Sequence, residues 1–247
     1  MKFQAAICWR SVGHAGQQSD STQAWRTVEL ERDIEWPVNG DCWPSSEVRV
    51  WLDDLDADDA GRFDPRLLSS EEMRAVDRLK DASQRLRMQR TRALVRLRLA
   101  ALLDADPCQL GFVRGPNGKP ELAGEHQGRL HFNLSHSGRC LLFGVSATNE
   151  VGVDIEEVRD TSSLTDTARY FFRPEEWEAL QQLPADALVP TFYRLWTLKE
   201  AAAKTVGQNL AWGMTHMSIG IESGGELSTV RAQIAGLRTR LGEFPMR

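Results

Sequence analysis

The amino-acid sequence predicts an α+β fold, and three observations carry that reading. Short runs of β type and amphipathic helices interleave along most of the chain, without the strict β-α-β rhythm of a parallel sheet. The strand-like runs are bounded by Gly, Pro and Asn turns, as antiparallel pairing requires. With 247 residues, 41% hydrophobic and 26% charged, the chain can bury one large core or two smaller ones. That composition excludes disordered, collagen-like and coiled-coil classes.

In chain order, residues 10 to 46 are rich in Gly, Ser, Gln, Asp and Trp with no period, so 1–46 reads as an irregular N-terminal extension. Val48, Val50 and Leu52 then alternate with Arg49, Trp51 and Asp53, the pattern of a half-buried strand. Ser69 followed by Glu72 forms a capping box that opens a helical stretch, broken near Lys80 and continuing to about Leu103. Its second part sets Arg85, Arg87, Arg90, Arg92, Arg96 and Arg98 around an apolar stripe of Leu86, Ala93, Leu97 and Ala100. Arg90 falls inside the apolar arc and needs a partner if buried. After Pro107, strands are expected at Leu110–Val113, Leu130–Asn133, Leu141–Val145 and Val151–Ile155. A helix follows at Pro174, whose ring suits a first helical position, and another from about Thr191 to Val206.

The net charge of −5 gives no overall basic field, which argues against nucleic acid or an anionic membrane as partner. Cys8, Cys42, Cys108 and Cys140 are far apart and lack the close pairs of a zinc site, so they read as free thiols of the cytoplasm. Phe3 to Trp9 is too short and too polar for a signal peptide or anchor.

Four segments carry chemistry. In Val151-Gly152-Val153-Asp154-Ile155-Glu156 the apolar residues share one strand face, and Asp154 and Glu156 project side by side from the other. Two such carboxylates suit a hard divalent cation, although an edge strand with a wet face explains the spacing as well. Trp196, Glu200 and Lys204 fall on one helical stripe, where an ordinary surface Glu–Lys pair is the plainer explanation. Phe132-Asn133-Leu134-Ser135-His136-Ser137 places small polar groups after a strand, and Arg114 to Pro120 is a turn with a cation at each end.

Together, these segments resemble the surfactin-type 4'-phosphopantetheinyl transferases. Gly118-Lys119-Pro120-Glu121-Leu122, Phe132 to Ser137, Gly152 to Glu156, and Trp196-Thr197-Leu198-Lys199-Glu200-Ala201 with Lys204 occur in that family's order, between about Val48 and Leu210. The resemblance implies two similar subdomains related by a pseudo-twofold, 47–149 and 150–247, with coenzyme A and magnesium in the cleft between them. Asp154, Glu156 and Glu200 match the family's metal-binding acids. Lys119, Pro120, Ser135 and His136, with Arg114 and Arg87, match positions that hold the adenosine and its 3'-phosphate, and Lys204 matches the lysine near the pyrophosphate. The implied reaction moves phosphopantetheine from coenzyme A to a serine of an apo acyl or peptidyl carrier protein, releasing 3',5'-ADP. Glu200 would be the base, and a monomer would suffice.

The chain departs from the family's pattern in three places. Gly207-Gln208-Asn209-Leu210 replaces a Gly-x-Gly-Leu loop, the extension before Val48 is long, and the stretch after Met214 is short and Arg-rich. The last of these predicts a shortened C-terminal half without its closing strand. Two rival readings are a non-catalytic coenzyme A or carrier binder and a hydrolase built on Ser135, His136 and Asp154. The hydrolase lacks a Gly-x-Ser-x-Gly elbow, and adjacent strand residues seldom aim at each other.

Overall fold

The alternation in Val48–Asp54 produces strand β2, which pairs antiparallel with β6 (Cys140–Ser146), itself paired with β5 (His131–Ser137). The computed structural model describes residues 2–11, 48–57, 64–115, 117–232 and 238–245. Helix α1 (Ser70–Asp77) opens on the expected capping box, with Ser69 Oγ accepting from Glu72 N and Glu72 Oε2 from Ser69 N. The break near Lys80 is real, because Asp81 caps a new helix, α2 (Ala82–Leu103), through Gln84 N. Arg90 is buried, as its place in the apolar arc requires, and donates to the Leu55 carbonyl. A short hairpin, β3 (Gly111–Arg114) with β4 (Pro120–Ala123), then leads back into β5.

The second half repeats this plan. Strand β7 (Asn149–Glu157) leads through α3 (Leu164–Phe171) and α4 (Pro174–Gln181) to the long α5 (Ala185–Thr205), then α6 (Leu210–His216) and a hairpin of β8 (Met217–Ile221) with β9 (Leu227–Ala232). Helix α5 starts before the expected Thr191, since Leu188 and Val189 pack on the second core and hold the turns ahead of Pro190. Its sheet has the order β10-β1-β7, where β1 is Lys2–Ser11 and β10 is Arg238–Pro245, both antiparallel to their neighbours.

Two sequence expectations are corrected here by one pairing. Lys2–Ser11 is a central strand and not part of an irregular extension, and the stretch after Met214 supplies three strands, including the closing one. Each strand is the other's ladder partner at opposite ends of the chain, so neither shows a complete signal alone. The remainder of the predicted extension, residues 12–46, and Cys42 lie outside the described residues.

Three apolar clusters layer the two sheets. Val95, Leu99 and Leu103 of α2 cover Phe132, Phe143 and Val145 on one outer face. Ala6 and Cys8 of β1 meet α5 and α6 on the other, and Phe3, Ala5, Ile7, Leu142, Val153 and Ile155 fill the space between the sheets. Alternation along β1 and β6 sends successive side chains to different clusters. Among the described residues no helix is long and apolar enough to cross a membrane.

Candidate active site

The edges of the two sheets meet along β5 and β7. These strands run in the same direction and are stitched by side chains: Asn133 Oδ1 accepts from Val153 N, Ser135 Oγ donates to Asp154 Oδ1 at 2.8 Å, and Ser137 Oγ donates to Glu156 Oε2 at 3.0 Å. Small polar residues at alternate positions of β5 thus face the two carboxylates. Helix α5 closes over the same face because residue 152 is glycine. A Cβ there would stand 2.1 Å from the Ala201 carbonyl oxygen and 2.4 Å from Thr205 N. This close approach brings Glu200 and Lys204 onto Asp154 and Glu156.

Carboxylate oxygens of Asp154, Glu156 and Glu200 all lie within 4.8 Å of one another. Asp154 is 1% exposed, so its face is not the wet edge that the spacing alone allows. Lys204 Nζ is 2.7 Å from Asp154 Oδ1, 3.1 Å from Ser135 Oγ and 3.9 Å from Glu200 Oε2. It therefore serves the cluster, and the simple surface Glu–Lys pair does not describe it. Burial and the Asp154 charge push the Glu200 carboxyl up to about 8, and the same two causes raise Glu156. Asp154 Oδ2 is buried and has no hydrogen-bond partner among the described residues. Three close carboxylates, two of them destabilised as anions, and an orphaned buried oxygen fit a hard divalent cation with oxygen ligands.

The cluster is flanked by two clefts. One, of about 290 Å³, is bordered by Lys119, Pro120, Asn133, Glu200, Lys204 and Gln208, and is bridged where Asn117 Nδ2 donates to the Gly207 carbonyl. The other, of about 220 Å³, has Glu156 at one side and Phe192, Tyr193 and Trp196 as an aromatic wall. The stripe of Trp196, Glu200 and Lys204 thus faces both clefts. The Gly207–Leu210 loop borders the first cleft, and Asn209 caps α6 by accepting from Trp212 N, a role its side chain can fill and glycine's cannot.

Residues 150–238 match the 4'-phosphopantetheinyl transferase superfamily. The 4'-phosphopantetheinyl transferase HetI of Nostoc is 36% identical over 169 residues, 68% of this chain and 71% of that protein. The chain belongs to the 4'-phosphopantetheinyl transferase superfamily. A 4'-phosphopantetheinyl transferase of Bacillus subtilis is 32% identical over 135 residues, and AcpT of Escherichia coli 37% over 101. The chain spans 58% and 50% of those two relatives, and 61% of a Synechocystis protein that is 37% identical.

On this transferase-family fold the remaining sequence-predicted residues divide. Lys119 is at the cleft wall but paired, with Nζ 3.0 Å from Glu150 Oε2 and 3.0 Å from the Val151 carbonyl. His136 is exposed and shares its strand face with Phe132 and Leu134, opposite Ser135, so no Ser-His-Asp array forms. Arg87 reaches the same end of β5, donating to the Gly138 carbonyl while pairing with Asp56. Arg114 donates to the Gly118 carbonyl within its own turn. Lys119 is tied, through Glu150 and His131, to the start of β5, and His136 stands near its end, about 16 Å along a strand of ~3.3 Å per residue.

Sequence reasoning passed over Ser137, Glu150 and the buried pair of Lys199 with Glu176. Ser137 had a signal, its even spacing from Ser135. Glu150 and Glu176 had none, since each acquires its partner only when distant segments pack.

Proposed function

We propose that this chain transfers the 4'-phosphopantetheine arm of coenzyme A to a serine of an apo acyl or peptidyl carrier protein, releasing 3',5'-ADP. The observation that carries the proposal is the cluster of Asp154, Glu156 and Glu200, with its unpartnered Asp154 oxygen, set between two clefts and reached by Lys204. Asp154, Glu156 and Glu200 would hold magnesium, which when bound supplies charge neutralisation at the substrate's diphosphate. The chain's own residues do the rest. Lys204, released from part of its contact with Asp154, would donate to the diphosphate and stabilise the departing 3',5'-ADP. Glu200 would accept the carrier serine's proton as a carboxylate. The serine oxygen bonds to the β-phosphorus as the bond to 3',5'-ADP breaks.

The nucleotide would lie in the cleft of Lys119 and Pro120, with Ser135 beneath it. His136 and Arg87, together at the far end of β5, would reach the 3'-phosphate, and Arg114 would contribute from the turn. In this scheme 47–149 is chiefly the coenzyme A half and 150–247, completed by Lys2–Ser11, the metal half. Both walls come from one chain, so a monomer suffices, and the activity belongs in the cytoplasm, where coenzyme A and carriers meet.

Incubating the protein with apo carrier, coenzyme A and magnesium should raise the carrier's intact mass by one phosphopantetheine. An unmodified carrier beside demonstrable coenzyme A binding would leave a binding protein, and loss of both would end the proposal.

A further inference from the structure

Behind the wall of the first cleft, Lys119 is linked in series to two side chains that take no part in the scheme above, Glu150 and His131. Glu150, near the start of β7, holds Lys119 Nζ through Oε2 at 3.0 Å and meets His131 Nδ1 through Oε1 at 3.1 Å. Lys119 also donates to the Val151 carbonyl. A lysine that precedes β4 of one half is therefore fixed by two acceptors on β7 of the other, while its side chain borders the cleft. Lys119 is 11% exposed and Glu150 29%, so this is not a mobile surface pair. Burial works to raise the Glu150 carboxyl, yet the bond from His131 and the charge of Lys119 prevail and hold it at about 2. Glu150 thus stays ionised at any working pH.

A lysine left loose in a cleft that also contains Glu200 would be drawn onto that carboxylate, as Lys204 is drawn onto Asp154. Tethering prevents that collapse and leaves one of the ammonium's three N–H groups for a ligand. We infer that Glu150 is a positioning residue which, braced by His131, holds Lys119 across the two halves and so sets the affinity for coenzyme A. The inference rests on the function proposed above.

Its test is a double-mutant cycle on the full chain, preceded by calorimetric binding of coenzyme A to the wild type. Glu150→Ala should raise KM for coenzyme A about tenfold with kcat within about twofold, the pattern of lost binding shared by ground and transition states. Adding Glu150→Ala to Lys119→Ala should change KM no further, because the residue acts through the lysine. If the alanine variant does not give a cooperative melt, the near-isosteric Glu150→Gln replaces it in the same cycle with the same expectations. An unchanged KM in a folded variant, or effects that add in the double variant, would overturn the inference. If the wild type itself neither binds coenzyme A nor modifies a carrier, the proposed function fails instead, and the two failures are distinct.

Discussion

Lys199 and Glu200 are adjacent on α5, yet one turns into the core and the other into the cleft. Lys199 pairs with Glu176 at 2.8 Å, both side chains 0% exposed. The ammonium also donates to the Met217 and Met214 carbonyls, and Glu176 accepts from Ile219 N and Arg173 N. Every charge there has a partner, and the pair ties α4, α5 and β8 together. Across the helix, Glu200, Asp154 and Glu156 crowd three carboxylates around Lys204, and one buried oxygen has no partner among the described residues. A satisfied buried ion pair is architecture, whereas an unsatisfied one is a site waiting for charge from outside the chain.

Removing the frustrated acid should produce the largest effect, and on rate. Glu200→Gln keeps volume but loses a charge and a base, so carrier modification should fall by about 10²–10⁴-fold, with coenzyme A affinity within a few-fold by calorimetry. Saturating magnesium should not restore the rate. If it did, Glu200 would be only a ligand and the base would lie elsewhere.

The satisfied pair should respond in the opposite currency. Lys199→Ala leaves Glu176 buried and uncompensated, a change that costs about 3–5 kcal/mol. Denaturant unfolding should show that loss, while the folded fraction keeps near wild-type turnover. A stable but inactive Lys199→Ala protein would blur the distinction between the two lysines.

A smaller effect separates the two sites by pH. The Glu200 carboxyl is raised from 4.5 to about 8 in the folded chain, so its protonated form favours folding. That contribution is complete below its unfolded value and disappears as pH rises through about 8, and the raised Glu156 acts in the same direction. Chelated protein should therefore melt several degrees lower near pH 9 than near pH 6, and magnesium should remove the difference by holding the carboxylates ionised. Glu200→Gln should flatten the chelated profile. An equally steep profile in that variant would assign the pH dependence to other groups.

Much of this was legible in local pattern. The capping box at Ser69, the break before Asp81, the alternation of β2 and the carboxylate face of β7 each depend on residues within one turn or one strand, where spacing fixes which way a side chain points. The order of the four motifs pointed to the family for the same reason. The expectations that failed concern residues whose partner is far along the chain. Lys2–Ser11 reads as part of a formless extension until β10 and β7 flank it, and the Arg-rich end of the chain reads as too polar for a closing strand until β1 is beside it.

The sequence by itself determined the residue types at the site: three acids, a lysine and small polar groups on adjacent strands, at spacings that send them to one face. Only the tertiary structure decided which acids are frustrated and which are satisfied. Frustration is a matter of burial and of how many charges share a volume, and both are set by the approach of α5 to β7 that Gly152 allows. The same packing gave Lys199 a buried counter-ion from α4 and Lys119 one from β7, partners that no local spacing could announce.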